Sequence, residues 1–160
     1  MNIALYTRAF SPSIGGLETI AEILAVEFSR RGHRVTVITD EPEVVPGCMS
    51  DAPFSVIRTQ TFRGRVASFK GADVILFFNL SLIGLMAAWY ARKPVVMSHH
   101  GIYQGRGCVA IVLEWVKRQL TRFFTNIAVS EFVARHIPGR SVGIRNAFDA
   151  AEFATDQNFS

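Results

Sequence analysis

The sequence predicts a three-layer α/β sandwich, a mostly parallel sheet of about seven strands with the first one central. Three observations predict it. Short apolar runs alternate with helically spaced stretches along the whole chain, the signature of β-α units around a parallel sheet. The chain has 160 residues, 49% of them hydrophobic and 19% charged, which suits one domain with a sizeable core and excludes a disordered, collagenous or coiled-coil chain. The strongest helical pattern follows directly on the first strand, as a right-handed crossover over one face requires.

Residues 2–7 (NIALYT) form that first strand. Leu17, Ile20, Ala21, Leu24, Ala25 and Phe28 then keep helical spacing, with Glu18 and Glu22 early and Arg30-Arg31-Gly32 at the end. Acid first, base last and glycine as the stop suit the helix dipole and a C-cap, giving a helix over 17–31. Residues 34–39 (RVTVIT) are a second strand, and a loop over 40–53 leads to a third at 54–58. Residues 60–71, with Arg63, Gly64, Arg65 and Gly71, carry no clear periodicity.

Residues 72–91 are apolar enough to be weighed as a membrane span, since about 20 apolar residues suffice. Asp73 and Asn79 interrupt them, and the β-branched start at 74–78 reads better as a buried strand followed by a turn and a buried helix over 81–92. Pro94 opens a strand at 95–98. A polar, glycine-rich loop runs from His99 to Gly107. The helix expected over 108–124 has a core stripe of Val109, Val112, Leu113, Val116, Leu120 and Phe123, and places Ile111, Trp115, Arg118 and Arg122 on the opposite face. An outward Trp and Ile framed by two Arg suggest either a covering loop or a membrane or partner face. Strands at 126–130 and 142–145 flank a short helix that Ser130 caps and Pro138-Gly139 ends.

Lys and Arg number 17 against 13 Asp and Glu, and the scattered basic residues form no stripe with aromatic or motif support, so no nucleic-acid partner is expected. Cys48 and Cys108 stand apart, with no zinc spacing and no disulfide framework, which fits a reducing cytoplasm. The start of the chain lacks the basic and apolar regions of a signal peptide.

Ligands of an open parallel sheet bind outside the carboxyl ends of the strands, so the loops 8–16, 79–81, 99–107 and 146–149 are the places to look. Gly15 and Gly16 precede the strong helix and let backbone N–H groups approach an anion such as a diphosphate; an ordinary tight turn would also use them. The dinucleotide pattern G-x-G-x-x-G is absent, which disfavours an oxidoreductase and leaves Asp40, at the end of the second strand, a capping or loop role. His99-His100-Gly101 offers an imidazole for a sugar hydroxyl or a developing charge, and no ligand set for a metal surrounds it. His33 reads as structural and His136 as a surface residue.

Taken in order, Pro12-Ser13-Ile14-Gly15-Gly16-Leu17-Glu18, Arg31 to Thr39, Asp73-Val74-Ile75, Pro94-Val95-Val96 with His100-Gly101, Ala128-Val129-Ser130 and Val142 to Asp149 cover nearly the whole chain. The ordered set resembles the N-terminal half of a retaining glycosyltransferase of the GT-B architecture, in the glycosyltransferase group 1 or family 4 type. The resemblance implies a Rossmann-like, acceptor-side domain over 1–149, with 150–160 a tail or the start of a linker to a donor-binding domain not included here. It implies that Gly15 and Gly16 face the diphosphate of a nucleotide-sugar and that His100 is the catalytic-centre histidine beside the transferred sugar. Ser13, Asn79, His99 and Tyr103 are candidates for the acceptor, a sugar or lipid-linked hydroxyl. Ala147 stands where the family turn has glycine. No cofactor or metal is expected.

On this reading the chain alone is inactive, and the parent enzyme is cytoplasmic or peripheral to the inner membrane face. The other reading is a stand-alone binding or regulatory module that docks on a separate donor-binding subunit.

Overall fold

The computed structural model describes residues 1–13, 15–42, 52–102 and 107–146. Among these residues seven strands form one sheet in the order β3-β2-β1-β4-β5-β6-β7, with every pairing parallel. They are β1 (Asn2–Thr7), β2 (Arg34–Thr39), β3 (Ser55–Arg58), β4 (Val74–Phe78), β5 (Val95–His99), β6 (Thr125–Ala128) and β7 (Ser141–Gly143). The helices are α1 (Gly16–Arg30), α2 (Phe62–Lys70), α3 (Leu82–Ala91), α4 (Cys108–Leu120), continued by a 3-10 turn over Thr121–Phe123, and α5 (Glu131–His136).

Right-handed crossovers decide which face each helix covers. The chain winds from β1 through β2 to β3, then returns across the sheet to β4 and continues outward to β7. Alternate residues of β1 accordingly serve two cores. Ile3 and Leu5 pack with Ala21 and Ala25 of α1, whereas Ala4 and Tyr6 pack with Val66 and Phe69 of α2 and with Leu85 and Ala88 of α3. The α1 stop is a full Schellman arrangement. Gly32 has φ +82, its N–H donates to the Ser29 carbonyl at 2.9 Å, and the His33 N–H donates to that of Phe28 at 3.1 Å.

Three expectations change. Residues 62–70 are helical. Thr61 caps α2 by accepting from the Gly64 N–H at 3.1 Å, and a Cβ at Gly64 would collide with the side chains of Thr59 and Thr61, so the glycine that blurs the pattern is what lets the cap close. The second change is in α3, which buries Gly84, Leu85, Ala87 and Ala88 but exposes Ile83, Met86, Trp89 and Tyr90. It is half buried rather than buried. Its caps are clean: Ser81 accepts from the Gly84 N–H at 3.3 Å, and Arg92 closes the other end in the left-handed region. Residues 72–91 are thus strand, turn and helix, and among the described residues no helix is long and apolar enough to cross a membrane.

The third change is the stripe expected on α4. Val109, at 75% exposure, lies in solvent, as do Val112, Leu113 and Phe123; Val116 is partly covered, and Leu120 packs on the core. Periodicity fixes which residues share a face but not how much sheet lies beneath it. Here β6 has four residues and β7 three, too little for a thirteen-residue helix to lie against. Ile111, Trp115, Arg118 and Arg122 are exposed as expected, and no described segment covers them.

Candidate functional site

At the carboxyl ends of the strands, the point where winding reverses lies between β1 and β4, and there the chain opens a cleft of about 820 Å³. Arg8 follows β1, Asp40 and Glu41 follow β2, and Leu80 to Ile83 follow β4; Gln60 and Arg65 enter from the α2 side and Lys117 from α4.

A buried polar network floors the cleft. The Tyr6 hydroxyl, at the end of β1, donates to the Asp40 carboxylate at 3.1 Å and lies 3.5 Å from Ser81 Oγ. Arg65, only 5% exposed, donates from Nε and Nη2 to Asp40 Oδ1 at 2.9 and 2.8 Å. Burial, reinforced by the Asp40 charge, pushes the Tyr6 phenol above its ordinary range, so it is a fixed donor at neutral pH. The surrounding loops are tied together. Arg58 Nη2 donates to the Ser11 carbonyl at 2.6 Å, Gln60 Nε2 to that of Asp40 at 3.1 Å, and Ser13 Oγ to Glu41 Oε1 at 3.0 Å. Ser13, a candidate for the acceptor, is therefore engaged in joining the loops after β1 and β2.

A second group surrounds His100. Asn79 sits in the left-handed region at φ 62, where asparagine is tolerated. Its N–H donates to the Ser98 carbonyl at 2.8 Å, and its Oδ1 accepts from the His100 N–H at 2.9 Å. This clamps the start of the β5 loop. The His100 ring stacks on Phe78 at 5.5 Å, and its Nε2 lies 2.9 Å from Ser98 Oγ. Its Nδ1 is buried, with the Asn146 side chain nearby. Burial lowers the His100 pKa, the neighbouring His99 lowers it further, and the nearby Asn146 amide opposes both. The ring is a neutral imidazole with one nitrogen held by Ser98 and the other buried.

Phe78 belongs to the core shared with α1. His100 and the glycine start of α1 therefore lie toward the same face of the sheet, while the cleft is on the other. Gly15 is the N-cap of α1, and its carbonyl accepts from the Thr19 N–H at 3.1 Å. A Cβ at Gly15 would strike the Glu18 carboxylate, whereas Gly16 has open space.

His99 does not join the site. It is fully buried, its Nε2 is 3.0 Å from Asn126 Oδ1, and desolvation lowers its pKa, so its side chain is part of the core rather than a ligand for the acceptor. Tyr103, residues 147–149 and Cys48 lie outside the described residues. Sequence reasoning missed Arg8, Arg65 and Lys117 and gave Asp40 only a local role. The available signal is Asp40 at the carboxyl end of β2, the neighbour of the central strand.

A parallel sheet with one winding reversal, a glycine-opened α1 and a histidine at the end of β5 make this a Rossmann-like domain of the kind that forms the N-terminal half of GT-B glycosyltransferases. The chain belongs to Glycosyltransferase Family 4, which residues 14–142 match. It is 25% identical to the alpha-monoglucosyldiacylglycerol synthase of Streptococcus pneumoniae, over 65% of this chain and 27% of that one. Two solved structures share the fold. A glycosyltransferase from Rickettsia africae superposes with a TM-score of 0.66 at 14% identity, covering 96% of this chain and 45% of that one. MurG from Acinetobacter baumannii gives 0.65 at 12% identity, covering 92% and 46%. The chain thus spans less than half the length of each of these relatives.

Proposed function

We propose that this domain is the acceptor-side half of a retaining glycosyltransferase that moves a sugar from a nucleotide-sugar to an acceptor hydroxyl. The observation that carries the reading is His100. Its backbone is clamped by Asn79 and its ring is held on Phe78, on the face from which the N-terminus of α1 starts.

In the reaction the acceptor oxygen bonds to the anomeric carbon as the bond from that carbon to the diphosphate breaks. The electron pair leaves with the nucleoside diphosphate, and the hydroxyl proton passes to a phosphate oxygen. Backbone dipoles at Gly15 and Gly16 favour the departing charge, and His100 hydrogen-bonds the transferred sugar. Asn79 and Ser13 act by holding the loops.

The acceptor on this reading is lipid-linked, and the protein works in the cytoplasm at the membrane surface. The exposed Ile111, Trp115, Arg118 and Arg122 support this, as does the name of the S. pneumoniae relative, which makes a glucosylated diacylglycerol its product. The donor-binding half is supplied outside these residues, by continuation of the polypeptide or by a separate subunit.

The test is sugar transfer by the native full-length product beside the 160-residue chain. The longer protein transfers, and its His100→Ala variant loses about a hundredfold or more in kcat. The short chain does neither transfer nor tight donor binding; low-micromolar affinity of the short chain for a nucleotide-sugar would overturn the division of labour.

A further inference from the structure

The apolar surface is larger than the one face of α4. Ile83, Met86, Trp89 and Tyr90 of α3 are exposed, as are Ile111, Val112 and Trp115 of α4. Leu82 of α3 and Leu120 of α4 pack on the same core, and Leu82, Ile83 and Lys117 line the same cleft. The two helices therefore stand on one side of the sheet and share the cleft mouth.

Charge follows the same division. Residues 74–130 contain six Lys and Arg against one acid, Glu114, a balance of +5 in a chain whose total is +4. Glu114 is turned inward onto Lys117, with Oε1 at 2.7 Å from Nζ and its side chain 19% exposed. Among the described residues α3 carries no charge and is followed by Arg92 and Lys93, Arg118 and Arg122 lie at the end of α4 and just beyond it, and no carboxylate points outward from either helix. Trp and Tyr suit the headgroup level of a bilayer, and flanking Lys and Arg suit anionic lipid. A second copy of this chain would instead bring the same positive field against itself.

We propose that α3 and α4 together form a docking surface for an anionic lipid bilayer, with the mouth of the cleft set at the membrane. Ile83 belongs to both the exposed face and the cleft wall, so an acceptor held in the lipid reaches the strand ends without leaving the surface. The last step rests on the transferase reading; the docking itself does not.

The chain has two tryptophans, Trp89 on α3 and Trp115 on α4, and both are exposed. Emission of Trp89→Phe and Trp115→Phe variants of the 160-residue chain reports each helix separately. Vesicles of phosphatidylcholine alone are compared with vesicles containing about one-third phosphatidylglycerol. Both variants are expected to shift to the blue and co-sediment with the anionic vesicles, with apparent affinity falling about tenfold or more at high salt.

No shift in either variant overturns the proposal. A shift only in Trp89→Phe, which retains Trp115, overturns the role of α3, and equal binding to neutral vesicles overturns the charge argument. A lipid-free blue shift that rises with protein concentration alongside a dimer mass shows that a second copy covers the surface, and overturns it too. Because the readout needs no sugar transfer, failure of lipid binding and failure of transferase activity are separable.

Discussion

Arg65 places two nitrogens on a single oxygen of Asp40, Nε at 2.9 Å and Nη2 at 2.8 Å, and so fastens α2 to the end of β2 beneath the cleft. Its side chain is 6% exposed against 21% for Asp40. Arg65→Met leaves the carboxylate with the Tyr6 hydroxyl and solvent. The expected cost is about 2–3 kcal/mol, below the full value for a broken buried pair because water reaches Asp40. Urea denaturation measures it, and Arg65→Lys recovers little of it because an ammonium cannot reproduce the guanidinium fork.

Gly84 faces the sheet from the first turn of α3. A Cβ there would lie 2.5 Å from Tyr6 Cε1 and 2.8 Å from Phe77 Cε1, both in fully buried rings. Gly84→Ala is expected to destabilise by about 1–3 kcal/mol through overpacking, although alanine is the better helix former. A thermal midpoint equal to or above wild type would show that the rings can give way.

Asn126 is buried. Its Nδ2 donates to the carbonyls of Thr121 at 2.7 Å, Phe124 at 2.9 Å and Arg140 at 3.1 Å, while its Oδ1 meets His99. One side chain ties the end of α4, β6 and the approach to β7 to the end of β5. Asn126→Ala strands several buried polar groups and is expected to cost about 2–4 kcal/mol. Faster hydrogen exchange over 121–143 than in the rest of the sheet would mark the same breakage.

Stability falls on mild acidification. His99 and His100 are both held below the usual histidine range by burial, and His100 also by the neighbouring His99. Unfolded histidine titrates near 6.5, so below about that pH the unfolded chain binds more protons and the folded state loses ground until the lowered folded values are passed. The urea midpoint is expected to be level above about pH 7 and to drop toward about pH 5.5, with a shallower drop in His100→Gln. A midpoint that stays flat through this interval would contradict the assignment of both rings as neutral.

Much of the fold was legible because a parallel sheet writes itself as separate apolar runs. The central strand, the α1 stop at Gly32 and the Ser130 cap each rest on a local rule that the structure obeys. What was hidden depended on neighbours distant in sequence. The α2 pattern was masked by Gly64, needed there for Thr59 and Thr61; Arg65 reads as surface until Asp40 covers it. Likewise, α4 carries apolar residues whose exposure follows from how little sheet remains beneath it. At the site, the adjacent His99 and His100 look interchangeable in sequence, and strand alternation sends one to Asn126 in the core and the other onto Phe78.

The outermost strands are short, with four residues in β3, as many as in β6, and three in β7. An open parallel sheet has two unpaired rows of peptide groups, each able to recruit a strand from another molecule. With so few rungs, a foreign strand gains little at either border. The sheet is therefore self-terminating, and a domain that keeps a broad oily surface in water avoids adding fibril growth to the hazards of that surface.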